Sequence, residues 1–278
     1  VEYTLAGRDD TLLDIARRYD IGHNEILLAN PGVDRWLPAD NSRVRLPNRY
    51  IIPGAERSGV ILNLPEMRLY YFPKPKKGEP PQMITQPISV GRMDWNTPLG
   101  NTRIASKQRD PTWTPPASIK KEALEDGKVL PDVIPAGPDN PLGRYAMRLG
   151  IPGYLIHSTN KPYGVGMRVT HGCIRMYPED IEGLFADIPV GTPVHIVNQP
   201  IKLGWMAGGL FVELHPPLDE DAAEYENYLQ RVLDAVADMV ATHPEWSALS
   251  NDRRLSLNGA ALRKAVDEKS GIPVLITR

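Results

Sequence analysis

The amino-acid sequence predicts an α+β protein, mainly β. A mixed, β-sandwich-like middle region is flanked by a small αβ unit and a helical C-terminal extension. Three observations predict this. Short alternating or β-branched apolar runs, broken by Pro and Gly, fill residues 58–199. Residues 1–53 carry the order strand, helix, helix, strand. From Asp219 onward the apolar residues recur every three or four positions. At 278 residues the chain has room for about two domains, or three if one is small. Such a chain buries enough core to fold without a disulfide or metal staple. Proline contributes 28 residues, about twice its usual share, which disfavours a helical bundle or coiled coil.

In the first unit Val1 to Leu5 alternates as a short strand. Thr11 followed three residues later by Asp14 is a variant capping box ahead of Leu12, Leu13, Ile15 and Ala16, and Gly22 ends that helix. Asn24 is expected to cap a second helix over Glu25 to Ala29, stopped by Asn30-Pro31-Gly32, and Val44 to Leu46 reads as a return strand. Tyr3-Thr4-Leu5, the Gly7…Asp10-Thr11-Leu12 entry, Ile15-Ala16 and Asn30-Pro31 together resemble a LysM domain. That resemblance implies contact with N-acetylglucosamine-containing glycans. The long stretch Val33 to Ser42 departs from it.

In the middle unit strands are expected at Val60–Leu64, Arg68–Phe72, Gln86–Val90, Met147–Leu149, Tyr154–His157 and Pro193–Val197. Helices are expected at Lys120–Glu125 and at Glu179–Phe185, the latter behind Tyr177-Pro178. Beyond residue 203, Ala222, Tyr225, Leu229, Val232, Leu233, Val236, Met239 and Val240 form one stripe of an amphipathic helix closed by His243-Pro244. A second helix is expected near Asn258–Glu268, and a strand over Pro273–Thr277.

Composition excludes several classes. Thirty-two basic against 34 acidic residues leave a net charge of −2, unlike the basic footprint of a nucleic-acid binder. The longest uncharged apolar stretch, Leu203 to Val212, is ten residues, about half a membrane span. Cys173 is the only cysteine, so an intrachain disulfide is excluded. In an oxidising compartment a lone thiol is exposed to oxidation and mispairing, so it is expected to have a function there. The chain begins at Val1 rather than Met, which a trimmed secretory signal or a cloned fragment would each explain.

Two of the six histidines, His157 and His171, shortly precede that cysteine. His157 ends the apolar run Tyr154-Leu155-Ile156, and a Gly-, Asn- and Pro-rich loop leads to Thr170-His171-Gly172-Cys173-Ile174-Arg175. A thiol is mostly protonated at neutral pH and needs a base beside it to act as a nucleophile. Either His171 or His157 could be that base. On an extended segment His171 and Cys173 would share a face, whereas His157 would reach the sulfur from another strand. Gly172 removes a side chain next to the sulfur and frees backbone N–H groups to hold an oxyanion. Arg175 is placed to pair with a substrate carboxylate, or else with a structural one. Trp113, in a Pro-flanked loop, is expected to wall the groove. Tyr163, Gly164 and Arg168, between the two histidines, are expected beside the substrate. His195, inside an alternating strand, reads as structural. Zinc held by His157, His171 and Cys173 is the rival reading of the same residues.

The run from His157 to Arg175 resembles the active-site signature of the L,D-transpeptidase catalytic domain. Gly91 with Thr97-Pro98-Leu99-Gly100, Pro111 to Pro116, and Asn140-Pro141-Leu142-Gly143 resemble its Gram-negative branch. The resemblance implies a cysteine acyltransferase that needs no cofactor or metal. Cys173 would attack the third residue of a peptidoglycan stem peptide, expel the terminal D-Ala and pass the acyl group to an amine. That amine would belong to a second stem peptide, for a 3→3 cross-link, or to the C-terminal Lys of an outer-membrane lipoprotein. His157 would be general base and acid, the Ser158 carbonyl would orient its ring, and His171, Gly172 and Thr170 would shape the oxyanion site. The resemblance further implies three domains, a LysM-like domain (1–53), a catalytic domain (58–199) and a helical extension (203–278). It also implies a periplasmic location and acylation by carbapenems. The alternatives are a hydrolase of the same links and a non-enzymatic wall-glycan binder with an idle thiol.

Overall fold

The computed structural model describes residues 2–242 and 256–277. The chain forms two compact units, residues 1–56, 63–68 and 197–278 in one and 57–62 and 69–196 in the other. At the start of the first unit, β1 (Glu2–Leu5) pairs antiparallel with β2 (Arg43–Leu46). Between them lie α1 (Leu12–Arg18) and α2 (His23–Ala29). The capping box forms, with the Asp14 amide donating to Thr11 Oγ1 at 3.1 Å and the Thr11 amide to Asp14 Oδ2 at 2.9 Å. The second helix starts two residues earlier than expected. Its N-cap is Gly22 and not Asn24, because the Glu25 carboxylate reaches back to accept the Gly22 amide at 2.6 Å. Leu12, Ile15, Ile21, Ile26, Val44 and Leu46 close a small core.

The second unit is mostly β. Its strands are β3 (Gly59–Asn63), β4 (Arg68–Phe72), β5 (Ile84–Pro87), β6 (Val90–Gly91) and the ten-residue β7 (Gly100–Arg109). The helix α3 (Ala117–Glu125) follows, then β8 (Tyr145–Leu149), β9 (Leu155–His157), β10 (Arg168–Thr170) and β11 (Ile174–Arg175). The helix α4 (Pro178–Asp187) and β12 (Pro193–Val197) complete it. Eight strands form one mixed sheet in the order β11-β9-β8-β7-β12-β3-β4-β5, and β10 with β6 makes a separate parallel pair. The strand β7 was not expected. Only Ile104 of its ten residues is buried, so it has almost no apolar pattern, yet it pairs with both β8 and β12 at the sheet's centre.

The C-terminal part, in the first unit, differs from a purely helical extension. The apolar stretch after residue 200 is a hairpin, β13 (Ile201–Met206) and β14 (Gly209–Leu214), joined by β15 (Val274–Leu275). Ala207 and Gly208, both at positive φ (51° and 78°), make the tight two-residue turn that lets a continuous apolar run fold back on itself. Two helices, α5 (Tyr228–Thr242) and α6 (Gly259–Glu268), pack on this sheet through Tyr228, Val232, Val236, Leu262 and Val266. The expected stripe from Asp219 is helical only from Tyr228. Asp219–Asp221 is a single 3₁₀ turn, and His243-Pro244 lies outside the described residues.

The first unit also buries an ionic cluster. Lys202 Nζ donates at 2.7 Å to each of Glu66, Glu213 and the Ile51 carbonyl. Glu213 also accepts from His215 Nε2 at 2.8 Å and from the Ile51 amide. Glu66, Glu213 and His215 are the group of potential metal ligands brought together among the described residues, and the Lys202 ammonium already supplies positive charge to both carboxylates.

Candidate active site

The register of three short strands builds the site. Parallel β11 pairs with β9 so that Ile174 faces Ile156 and Arg175 faces His157. Antiparallel β8 on the other side sets Ala146 opposite His157 and Arg148 opposite Leu155. Side chains alternate between faces. Cys173 and Arg175 therefore share one face with Leu155, His157, Ala146 and Arg148, while Ile174, Ile156 and Met147 point into the core, each at most 1 % exposed.

His157 is buried, and its Nδ1 donates to the Ser158 carbonyl at 2.6 Å. In the neutral ring that bond leaves Nε2 unprotonated. Burial, and then the Arg175 charge, push the imidazole down to about 4, against the opposing pull of the Ser158 carbonyl. Cys173 is half-buried, and burial raises its thiol above the ordinary value. The Leu155 amide, Arg175 and Arg148 pull the other way. Both shifts favour the uncharged forms, a thiol and a neutral imidazole, over an ion pair. The sulfur donates to the Gly153 carbonyl at 3.6 Å, and no hydrogen bond joins it to His157 among the described residues.

The turn before the sulfur is held on both sides. Gly172 has φ +93°, and a Cβ there would stand 2.6 Å from Tyr154 Cε1. Its carbonyl accepts from Thr97 Oγ1 at 2.8 Å, and that oxygen in turn accepts the Gly91 amide at 3.1 Å. The Thr170 hydroxyl donates to the Cys173 carbonyl at 2.6 Å, so it braces the turn.

The bend at Gly172 also overturns the extended-segment expectation for His171. Its Nε2 donates to Glu122 of α3 at 2.6 Å and its ring meets Trp95 edge-on, 5.1 Å between centroids. With His157 Nδ1 on a carbonyl and His171 Nε2 on a carboxylate, these rings and Cys173 do not converge as zinc ligands.

Arg175 is partly buried, and its Nε is buried with no hydrogen-bond partner among the described residues. Burial lowers its pKa, and the nearby Cys173 sulfur opposes that. Gly164 lies beside it, its Cβ position 3.7 Å from the guanidinium, and the Gly164 carbonyl accepts from Ser89. Tyr163 is exposed on the 3₁₀ turn Pro162–Gly164. Arg168 Nε donates to the Gly91 carbonyl at 3.0 Å. Trp113 exchanges two backbone hydrogen bonds with Ile134, of 2.8 and 2.7 Å, at the neck of the excursion that carries α3. His195 donates to or accepts from Asn101 at 2.8 Å on the neighbouring strand. Arg148 and Glu122 join the site with no local signal in the sequence, and Thr97 joins it from a run that signalled only the family resemblance. Cross-strand register places the first, and long-range loop contacts place the other two.

A cysteine just ahead of β11 and a histidine ending the paired β9, with a carbonyl fixing the tautomer and a glycine turn before the sulfur, make a candidate Cys–His site on a mostly β scaffold. The family model described as the YkuD L,D-transpeptidase catalytic domain matches residues 57–196. The chain belongs to the L,D-transpeptidase family, a family of transferases. It is 36% identical over 272 residues to the protein named probable L,D-transpeptidase YbiS of Escherichia coli strain K12, covering 96% of this chain and 84% of that one. It is 38% identical over 264 residues to the probable L,D-transpeptidase ErfK/SrfK of the same strain, covering 94% and 81%. A solved L,D-transpeptidase from Mycobacterium smegmatis is 19% identical with a TM-score of 0.39, covering 51% of this chain and 58% of that chain.

Proposed function

We propose that the chain is a periplasmic peptidoglycan L,D-transpeptidase that works through a Cys173 acyl-enzyme. The observation that carries the reading is the β11–β9–β8 register, which puts a thiol and a tautomer-fixed imidazole on one face. In this reading the Cys173 sulfur leaves the Gly153 carbonyl for His157 Nε2 by a change of rotamer. As the sulfur attacks the carbonyl of the third stem residue, Nε2 takes the thiol proton. The backbone N–H groups of Gly172 and Cys173 hold the oxyanion. The tetrahedral intermediate collapses to a thioester. His157 gives its proton to the departing D-Ala amine, then accepts one from the incoming acceptor amine as the thioester is opened and returns it to the Cys173 thiolate that leaves.

Because thiol and imidazole start neutral, no charge pair has to be desolvated before the substrate arrives. The Arg175 guanidinium, whose Nε has no hydrogen-bond partner among the described residues, and Arg148 are suited to donor carboxylates. Residues 58–199 would form the catalytic domain. Residues 1–53 would be a LysM-like unit against glycan, and 203–278 an extension. The acceptor is an amine of a second stem peptide or of a lipoprotein C-terminal Lys.

Incubation with disaccharide-tetrapeptide, with and without a lipoprotein tail peptide, should release D-Ala and give cross-linked or anchored products by mass spectrometry. A carbapenem should add once, on the Cys173 peptide. D-Ala release by Cys173→Ala, or a carbapenem adduct on another residue, overturns the mechanism.

A further inference from the structure

The excursion between Trp113 and Ile134 is closed at its neck by their paired backbone hydrogen bonds, with Asn140 Nδ2 donating to the Pro111 carbonyl beside them. It carries α3, of which no residue is buried. Its inner face, with Ile119 and Ala123, is only half-buried, so hydrophobic anchorage of the helix is slight. Lys120 pairs with Asp132 inside the excursion, 2.7 Å apart. Among the described residues, the polar tie from α3 to the rest of its unit is Glu122.

That one carboxylate is bound at both oxygens. Oε1 accepts from Arg92 at 2.8 Å, and Oε2 accepts from His171 Nε2 at 2.6 Å. The two donors hold Glu122 below the usual carboxylate range, His171 contributing most and then Arg92. Both are tied to the segment that carries Cys173. The Arg92 amide donates to the Thr170 carbonyl at 3.1 Å, and His171 is two residues from Cys173. All three side chains are about a quarter to a third exposed, with 33%, 26% and 35% of their surface open for Arg92, His171 and Glu122. Water and a competing anion can therefore reach the pair, and an exposed ion pair exchanges readily.

We propose that Arg92 and His171 are a carboxylate subsite that Glu122 fills at rest, and that a carboxylate of the peptide donor displaces Glu122 and releases α3. The ligand class follows from the chemistry of the occupant, a side-chain carboxylate held by a guanidinium and an imidazole N–H. Naming the peptide donor as its source rests on the reading given under Proposed function.

Glutarate, with the uncharged glutaramide as control, tests this on the full chain. Binding is read from the His171 imidazole resonances, and exposure of α3 from hydrogen exchange over residues 117–125. Glu122→Gln keeps the size of the side chain and removes its charge. It should bind glutarate at least about fivefold more tightly than the unsubstituted chain, leave glutaramide unaffected, and lose that gain in Arg92→Gln/Glu122→Gln. In the unsubstituted chain, saturating glutarate should speed exchange over 117–125, an observation that requires no variant to fold. Equal glutarate affinity with and without Glu122, a gain that persists in the double variant, or exchange unaltered by glutarate overturns the proposal. With the tetrapeptide donor, Glu122→Gln should lower KM severalfold. Were glutarate to behave as described while no tetrapeptide is turned over, the subsite would stand and the transpeptidase reading would fall.

Discussion

Replacing His157 by Asn isolates the electrostatics of the candidate base. Asn can still donate to the Ser158 carbonyl, so the strand end keeps its hydrogen bond while the titration is removed. The buried imidazole takes its proton only near pH 4, against an ordinary 6.5. The unfolded chain therefore binds the extra proton first as pH falls, and stability drops between about 6.5 and 4, levelling off below. A gap of about two and a half pH units, at about 1.4 kcal/mol each, is about 3 kcal/mol. Between pH 7 and pH 4 the unsubstituted chain should lose about 3 kcal/mol more stability than His157→Asn. The measurement is urea unfolding of both proteins at pH 7, 5.5 and 4, followed by near-ultraviolet circular dichroism. Taking the difference between the two proteins cancels the other groups that titrate in this range. The same neutral imidazole places the acid limb of Cys173 acylation near pH 4. Parallel stability profiles for the two proteins would refute the buried neutral imidazole and the general-base step built on it.

Two further outcomes follow from packing. Gly172→Ala must hold a Cβ at φ +93° and 2.6 Å from Tyr154, so it should lower stability by about 1–3 kcal/mol and slow acylation more than it alters the far-ultraviolet spectrum. Lys202→Met leaves Glu66 and Glu213 buried without their cation and should cost about 3–5 kcal/mol, read as a lowered unfolding midpoint with the thiol chemistry of any protein that remains folded unchanged.

Much of the local structure was legible because its causes are local. Thr11 and Asp14 announce α1 by their spacing, and Tyr177-Pro178 announces α4. Strands β3, β4, β8, β9 and β12 carry apolar residues because one or both of their faces are buried. The central strand β7 was invisible for the converse reason. Its residues are mostly exposed, and its place comes from backbone pairing on both edges, which leaves no side-chain period. The C-terminal hairpin was hidden because an apolar run has no period to tell a strand from a core segment, and Ala207 is an unusual residue to turn on.

The site divides along the same line. Thr170 to Arg175 is contiguous chemistry and His157 precedes it by one loop, so the candidate thiol and two candidate bases could be read from residue types and order, and the resemblance pointed to His157. The sequence by itself thus determined the family, the thiol at issue and the glycine turn before it. Only the tertiary structure decided which partners these groups have. Backbone register brings Arg148 to the cysteine's face, loop contacts turn His171 toward Glu122, and burial, a property of the packed chain, leaves thiol and imidazole both uncharged.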